Sequence, residues 1–275
     1  MEPTKPTDKI ILDHYKKVAK NQGLHKNSTM QDPVIRDAEI DFFLKSIQKY
    51  GEDRGSFDFS LLDVGCGNGI LLARIHEKFP EIILFGMEFS PDLLELALSR
   101  NLEKINFYQG DARQIESYPQ KFEVIISERS IINILDQKAQ KQALYNIADA
   151  LVSGGMYFQS ESYNEPLVHL NRARREMQLE EIIPSKHNRF LNEFNVLALR
   201  DHKKLIEVDS VLAKNYLSTH FFVSRIVHQV IRPTGGKVKH SHLVNFMVEG
   251  FGPGVGNYSP ILFRSFQCLR KNLYR

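Results

Sequence analysis

The sequence predicts an α/β protein built on a parallel sheet covered by helices on both faces. Two observations carry this. From Phe57 onward short apolar runs alternate with helical segments, and the runs are continuously apolar, as in strands buried on both sides. The expected strands are 59–64, 82–88, 105–109, 122–127 and 154–161, with helices near 69–79, 91–100 and 137–152. Ser90-Pro91 starts one of these helices, and Ser153-Gly154-Gly155 ends another.

Before this core, residues 8–22 and 33–50 read as helices. Asp32 supplies a cap and Pro33 a first-turn proline, and Val34, Ala38, Phe42 and Leu44 recur near the helical period. Beyond Glu161 the alternation fails. Residues 163–202 read as largely helical with a break around Pro184 to Asn188. A sixth strand follows at 204–210, a helix at 219–231, another at 240–249, a glycine-rich loop at 250–256 and a final strand at 261–268. The expected organisation is an N-terminal helical lid segment (1–56), a ligand-binding core (57–161), and a segment (162–275) that adds a helical cap and the last strands.

At 275 residues, 42% hydrophobic and 25% charged, the chain can bury a substantial core. No apolar run approaches the roughly 18 residues of a membrane span. The two cysteines, Cys66 and Cys268, are too few for a disulfide scaffold or a four-cysteine metal site, so a cytoplasmic location is expected and no metal. The net charge of +3 is uneven: residues 1–162 hold 19 Lys/Arg against 24 Asp/Glu, and 163–275 hold 17 against 9. A basic second half suits an anionic small molecule or, as an alternative, RNA; the cations are scattered, as on an ordinary solvated surface.

The sharpest signal is Leu61-Leu62-Asp63-Val64-Gly65-Cys66-Gly67-Asn68-Gly69, read as strand, tight loop and helix start. Glycines let the backbone turn and let a ligand approach closer than a Cβ permits. The Gly-x-Gly-x-Gly spacing differs from the dinucleotide fingerprint, which needs glycine where Ile70 stands. Asp63 is placed to hold an ammonium group by a charge-assisted hydrogen bond, where a pyrophosphate is disfavoured. Glu88, 21 residues beyond Gly67, closes the second strand where an acid accepts from ribose hydroxyls. Asp111 follows the third strand, where it can accept from an adenine amino group.

With these residues, 57–161 resembles the class I S-adenosylmethionine (SAM)-dependent methyltransferases. The resemblance implies a seven-stranded sheet whose last strand, 261–268, is antiparallel. It also implies that Asp63, Gly65, Cys66, Gly67 and Gly69 frame the methionine part, Glu88 and Phe89 the ribose, and Asp111 and Ala112 the adenine. Ser127, at the end of the fourth strand, is expected to face the donor. A broader similarity to bacterial methyltransferases of surface-glycan and small-molecule biosynthesis rests on Thr29-Met30-Gln31-Asp32 with Arg36 and Glu39, on Ser127 to Asn133, on Leu170 to Arg174, on His187-Asn188 and on Ser224 to His228.

The expected activity is O-methylation of a small polar metabolite, such as a sugar or glycosylated compound. His187 is the preferred base, because a neutral imidazole takes a proton near pH 7, with Glu128 and Glu161 behind it. Arg129, Asn133, Arg172, Asn188, Arg225 and His228 are candidate substrate contacts, the arginines because a guanidinium grips a carboxylate or phosphate in two places. Tyr15 and segment 8–32 are expected to close over the donor. The alternatives are an RNA methyltransferase and a SAM-binding protein without catalysis. A nicotinamide oxidoreductase is disfavoured by the glycine spacing and by the absence of Lys four residues after any tyrosine.

Overall fold

Ser60–Val64 (β1) is buried along its whole length, as a central parallel strand must be. The computed structural model describes residues 6–25, 28–203, 205–231 and 242–269. Around β1 run β2 (Ile83–Glu88), β3 (Ile105–Gln109), β4 (Phe122–Glu128), β5 (Leu151–Ser162), β6 (Leu205–Val208) and β7 (Ile261–Cys268). Their order is β3-β2-β1-β4-β5-β7-β6. The first five pair in parallel; β7 lies antiparallel between β5 and β6.

The period-two alternation of the strands builds a core on each face. Leu61, Val124 and Ile126 pack with α2 (Pro33–Arg54) and α3 (Ile70–Lys78) through Phe42, Phe43, Ile47 and Leu72. Leu62, Val64 and Ile125 pack with α5 (Gln137–Ala150) and α7 (Glu193–Lys203) through Leu144, Ile147, Val196 and Leu199. The remaining helices are α1 (Pro6–Gln22), α4 (Pro91–Leu98), α6 (Asn164–Glu176), α8 (Ser218–Phe222), α9 (His228–Ile231) and α10 (His242–Phe251). The caps expected from sequence form: Asp32 accepts from the Ile35 N–H at 3.4 Å and Ser90 from the Leu93 N–H at 3.4 Å.

Three differences from expectation have local causes. β5 begins at Leu151, directly after α5, because Gly154 takes φ +85° and the β4 pairing shifts register, so that Phe122 faces Leu151 and Val124 faces Met156. The helix expected at 219–231 is three pieces, α8, a π turn at Val223–Val227, and α9. There Ser224 Oγ donates back to the His220 carbonyl at 2.5 Å, competing with the regular ladder. The helix expected at 240–249 starts, among the described residues, at His242 and runs on to Phe251.

The strand order reverses between β1 and β4. A crevice opens there at the carboxyl ends of the strands. Among the described residues no helix is long and apolar enough to cross a membrane, and no three His, Cys, Asp or Glu side chains gather as a metal site.

Candidate functional site

The loop after β1 is held by the end of β2. The Gly65 and Cys66 N–H groups both donate to the Met87 carbonyl, at 2.8 and 3.0 Å. Gly65, Gly67 and Gly69 take φ of +78°, +57° and +75°, a region glycine occupies without steric cost. A Cβ on Gly65 would strike Ser130, and one on Gly69 would lie 2.9 Å from Phe107. A Cβ on Gly67 would meet no protein atom within 4 Å. Gly67 borders a cavity.

That cavity holds about 1000 Å3, part of it open to solvent. Its wall comes from the glycine loop, the ends of β2, β3 and β4, α1, and Thr29 and Arg36. Glu88 Oε2 accepts the Gly67 N–H and Oε1 the Ser90 N–H, each at 2.8 Å. Burial raises the Glu88 pKa, against the pull of these bonds. Asp63, 2% exposed, sits under the loop behind the wall. Burial pushes its pKa well above the carboxylate range, helped by the charges of Glu128 and Glu88 and opposed by Arg36.

At the end of β4, Arg36, Glu128, Arg129 and Glu39 form a buried ionic network. Arg36 binds Glu128 at 2.5 Å and Thr29 Oγ1 at 2.6 Å. Arg129, at φ +50°, binds Glu39 at 2.8 Å, the Thr29 carbonyl at 2.8 Å and Glu128 at 3.3 Å. Burial alone would raise Glu128, but Arg36 and Arg129 outweigh it and hold its carboxyl below the usual range. Glu39 is instead raised, by burial and by the neighbouring Glu128 charge, against Arg129. Removing one partner would leave the other charge buried alone, a cost of about 3–5 kcal/mol.

Helix α1 roofs the chamber. Asp8 grips Arg113 at 2.7 and 3.0 Å, and Arg113 grips Asp111 at 2.6 to 2.9 Å while lying 5.3 Å from the centre of the Phe89 ring. The Tyr15 hydroxyl donates to Asn133 Oδ1. His14 stacks on His187 with ring centres 3.6 Å apart. The segment after α1 is tied to the glycine loop by Asn68, which donates to the Gly23 carbonyl and Ser28 Oγ, both at 3.0 Å.

Of the residues singled out by sequence, Gly65, Cys66, Gly67, Glu88, Phe89, Asp111, Ala112, Glu128, Arg129 and Asn133 line this one chamber. Gly69 stands just outside it as the cap of α3. The others are placed elsewhere, and each has a physical reason. Ser127 is turned away, its hydroxyl 2.8 Å from Tyr157 and 2.9 Å from Glu161. Glu161 is fully buried and caps the turn after β4, accepting from the Ser130, Ile131 and Ile132 N–H groups at 3.1 to 3.4 Å. This corrects its expected place beside substrate. Burial raises its pKa to about 7, against those bonds.

His187 and Asn188 lie at the rim. Asn188 accepts from Asn133 at 2.9 Å, and burial, then His14, lowers His187 to about 4, leaving it neutral but a weak base. Arg172 is 76% exposed on α6 and pairs with Glu176, so it does not anchor a ligand in the chamber. Arg225 binds Asp32 at 3.1 Å, and His228 is buried in α9; neither reaches the wall. The sequence reading missed Asp8, Asn68 and Arg113. Asn68, inside the glycine loop, and Arg113, two residues after Asp111, each carried a local signal.

Residues 61–155 match the family model described as methyltransferase domain. Over 160 residues the chain is 26% identical to a ubiquinone biosynthesis O-methyltransferase of Aliivibrio fischeri, covering 56% of this chain and 66% of the relative. Over 71 residues it is 27% identical to a trans-aconitate 2-methyltransferase of Deinococcus radiodurans, covering 26% of each. The chain thus spans just under two thirds of the first relative and about a quarter of the second. Among solved structures it resembles the N-methyltransferase NodS of Bradyrhizobium japonicum with S-adenosylhomocysteine (TM-score 0.56, 13% identity, 94% of this chain and 97% of that one). It also resembles the magnesium protoporphyrin IX methyltransferase of Synechocystis (TM-score 0.59, 12% identity, 96% and 99%). At these identities the structural likeness is one of fold. It is the class I methyltransferase fold, and the match to the methyltransferase-domain model covers residues 61–155.

Proposed function

We propose that this chain, whose core is a class I SAM-dependent methyltransferase domain, binds SAM beneath α1 and methylates an oxygen of a small polar metabolite, such as a sugar or glycosylated compound. One observation carries the donor assignment. Asp63 Oδ1, Arg36 Nε and Ser130 Oγ are buried without a hydrogen-bond partner. Asp63 precedes the glycine loop, Ser130 stands against Gly65, and the Arg36 charge acts on Asp63. An unpaired carboxylate oxygen, with an unpaired guanidinium N–H and hydroxyl, complements an ammonium and a carboxylate, the two ends of an amino-acid head group.

On this reading Asp63, Arg36 and Ser130 hold the methionine part, Glu88 and Phe89 the ribose, and Asp111 and Ala112 the adenine. When bound, SAM would supply a methyl activated by its sulfonium and leave as S-adenosylhomocysteine; the acceptor hydroxyl, placed in line, turns strongly acidic as its oxygen gains the methyl and gives up its proton even to a weak base such as Glu128. Glu128, on the wall and held ionised by two arginines, accepts a hydrogen bond from an acceptor hydroxyl and orients it. Its lowered pKa makes it an orienting group and a poor base. Tyr15 and Asn133 close the same side and exclude water.

The roof over the chamber favours a small acceptor over a folded RNA, and the O-methyltransferase among the relatives supports oxygen as the acceptor atom. Calorimetry with SAM and S-adenosylhomocysteine, followed by mass spectrometry of turnover on hydroxylated metabolites and glycosides, tests the reading. Binding of both nucleosides with methyl ethers formed is expected. No binding of either overturns it.

A further inference from the structure

We propose that Asp8 and Arg113 are positioning residues that latch α1 over the adenosine end of the chamber. This rests on the assignment of Asp111 to adenine and Phe89 to ribose made above.

Ile11 is the one fully buried side chain of α1, with Leu12, Val18 and Ala19 half-buried, so apolar packing holds the helix only in part. Polar contacts must do more. Of those α1 makes, Tyr15 to Asn133 and His14 to His187 reach the acceptor side and the rim, whereas Asp8 to Arg113 reaches the nucleoside side. Arg113 is used from both ends. Its Nε and one terminal nitrogen bind Asp111, and both terminal nitrogens bind Asp8. Its planar group also faces Phe89. The pairs are mostly shielded, with the three side chains 14 to 17% exposed, so the contacts resist salt better than surface pairs.

One guanidinium therefore joins the roof helix, the ribose-side aromatic and the adenine acceptor. A planar fork fixes the orientation of each carboxylate it binds in two places. Seating α1 through Asp8 holds the Arg113 guanidinium in the plane that aims Asp111; lifting α1 frees that group and leaves Asp111 tied only by the Arg113 N–H, at 2.9 Å. Adenosine that enters with α1 raised is then held by a site completed only on closure. Product leaves by the reverse motion.

Three variants test this: Asp8→Asn, which keeps shape and loses charge; Asp8→Glu, which keeps charge; and Arg113→Lys, which cannot bind both acids in two places. Hydrogen exchange of residues 6–22 is read in the ligand-free protein, and the dissociation rate of S-adenosylhomocysteine by stopped flow. Asp8→Asn and Arg113→Lys are expected to speed exchange in α1 and raise the dissociation rate about tenfold, as loss of a charge-assisted pair implies. Asp8→Glu should recover most of both. Unchanged α1 exchange in Asp8→Asn overturns the latch. Faster exchange with an unchanged dissociation rate overturns the positioning role. Failure of the unaltered protein to bind S-adenosylhomocysteine sinks the donor assignment instead, and leaves α1 exchange as a separate measure of the latch.

Discussion

Glu88 and Gly67 are joined directly: the Glu88 carboxylate at the end of β2 accepts the Gly67 N–H at 2.8 Å, while its other oxygen takes the Ser90 N–H. One acid thus shapes the glycine loop and starts α4. Glu88→Gln places an NH2 group against one of these N–H donors. The expected result is a loss of about 1–3 kcal/mol of stability and weaker SAM binding, read by thermal melting and calorimetry.

Asp63 has a raised pKa and a buried oxygen with no partner. An ammonium placed beside it restores the ionised form, so SAM binding should release a proton and strengthen as pH rises. Calorimetry in two buffers of different ionisation enthalpy counts that proton. Asp63→Asn should match or exceed the unaltered protein in melting temperature and bind SAM at least tenfold more weakly. Equal affinity would remove Asp63 from the site.

Glu161 titrates near 7 in the folded chain, against about 4.3 when unfolded. Between those values the folded state keeps a proton the unfolded state has lost, so stability contributed by this group falls as pH rises from about 4.3 to 7. Glu161→Gln should flatten that slope in denaturant titrations at pH 5 and pH 7.5. An unchanged slope assigns the dependence to other groups.

Gly67→Ala meets no protein atom and carries only the strain of φ +57°, about 1–2 kcal/mol. Gly69→Ala adds a close contact with Phe107 to the same strain. The first, and still more Gly67→Val, should fold yet lose SAM affinity, because the new side chain faces the chamber. The second should lose mainly stability. Melting curves and calorimetry on the three variants separate the two effects.

The strands and the glycine loop were legible because each is a local pattern: apolar runs of the right length, or glycines where the backbone needs positive φ. Glu88 and Asp111 were legible for the same reason, one ending a strand and the other standing just past one. What escaped was pairing over distance. Nothing near Asp8 announces Arg113, 105 positions away, and no spacing rule joins Glu39 on α2 to Arg129 after β4. Glu161 and Ser127 misled in the opposite sense. Their strand positions suit a site at the sheet edge, but the N–H groups of Ser130, Ile131 and Ile132, in the turn after β4, take the carboxylate first. The π turn at 223–227 likewise arises from a back-bonding serine, which helical periodicity does not register.

The limited apolar packing under α1 also sets an order of events during synthesis. The helix is made before its partners, since Arg113 and Asn133 follow Asp8 and Tyr15 by 105 and 118 residues. Until then it stays in water, where its largely polar surface offers nascent chains little to aggregate on. Closing so long a loop is worthwhile only after β3 and β4 are in place, so α1 docks after the strands that carry its partners. The roof of the chamber is set only after its walls stand.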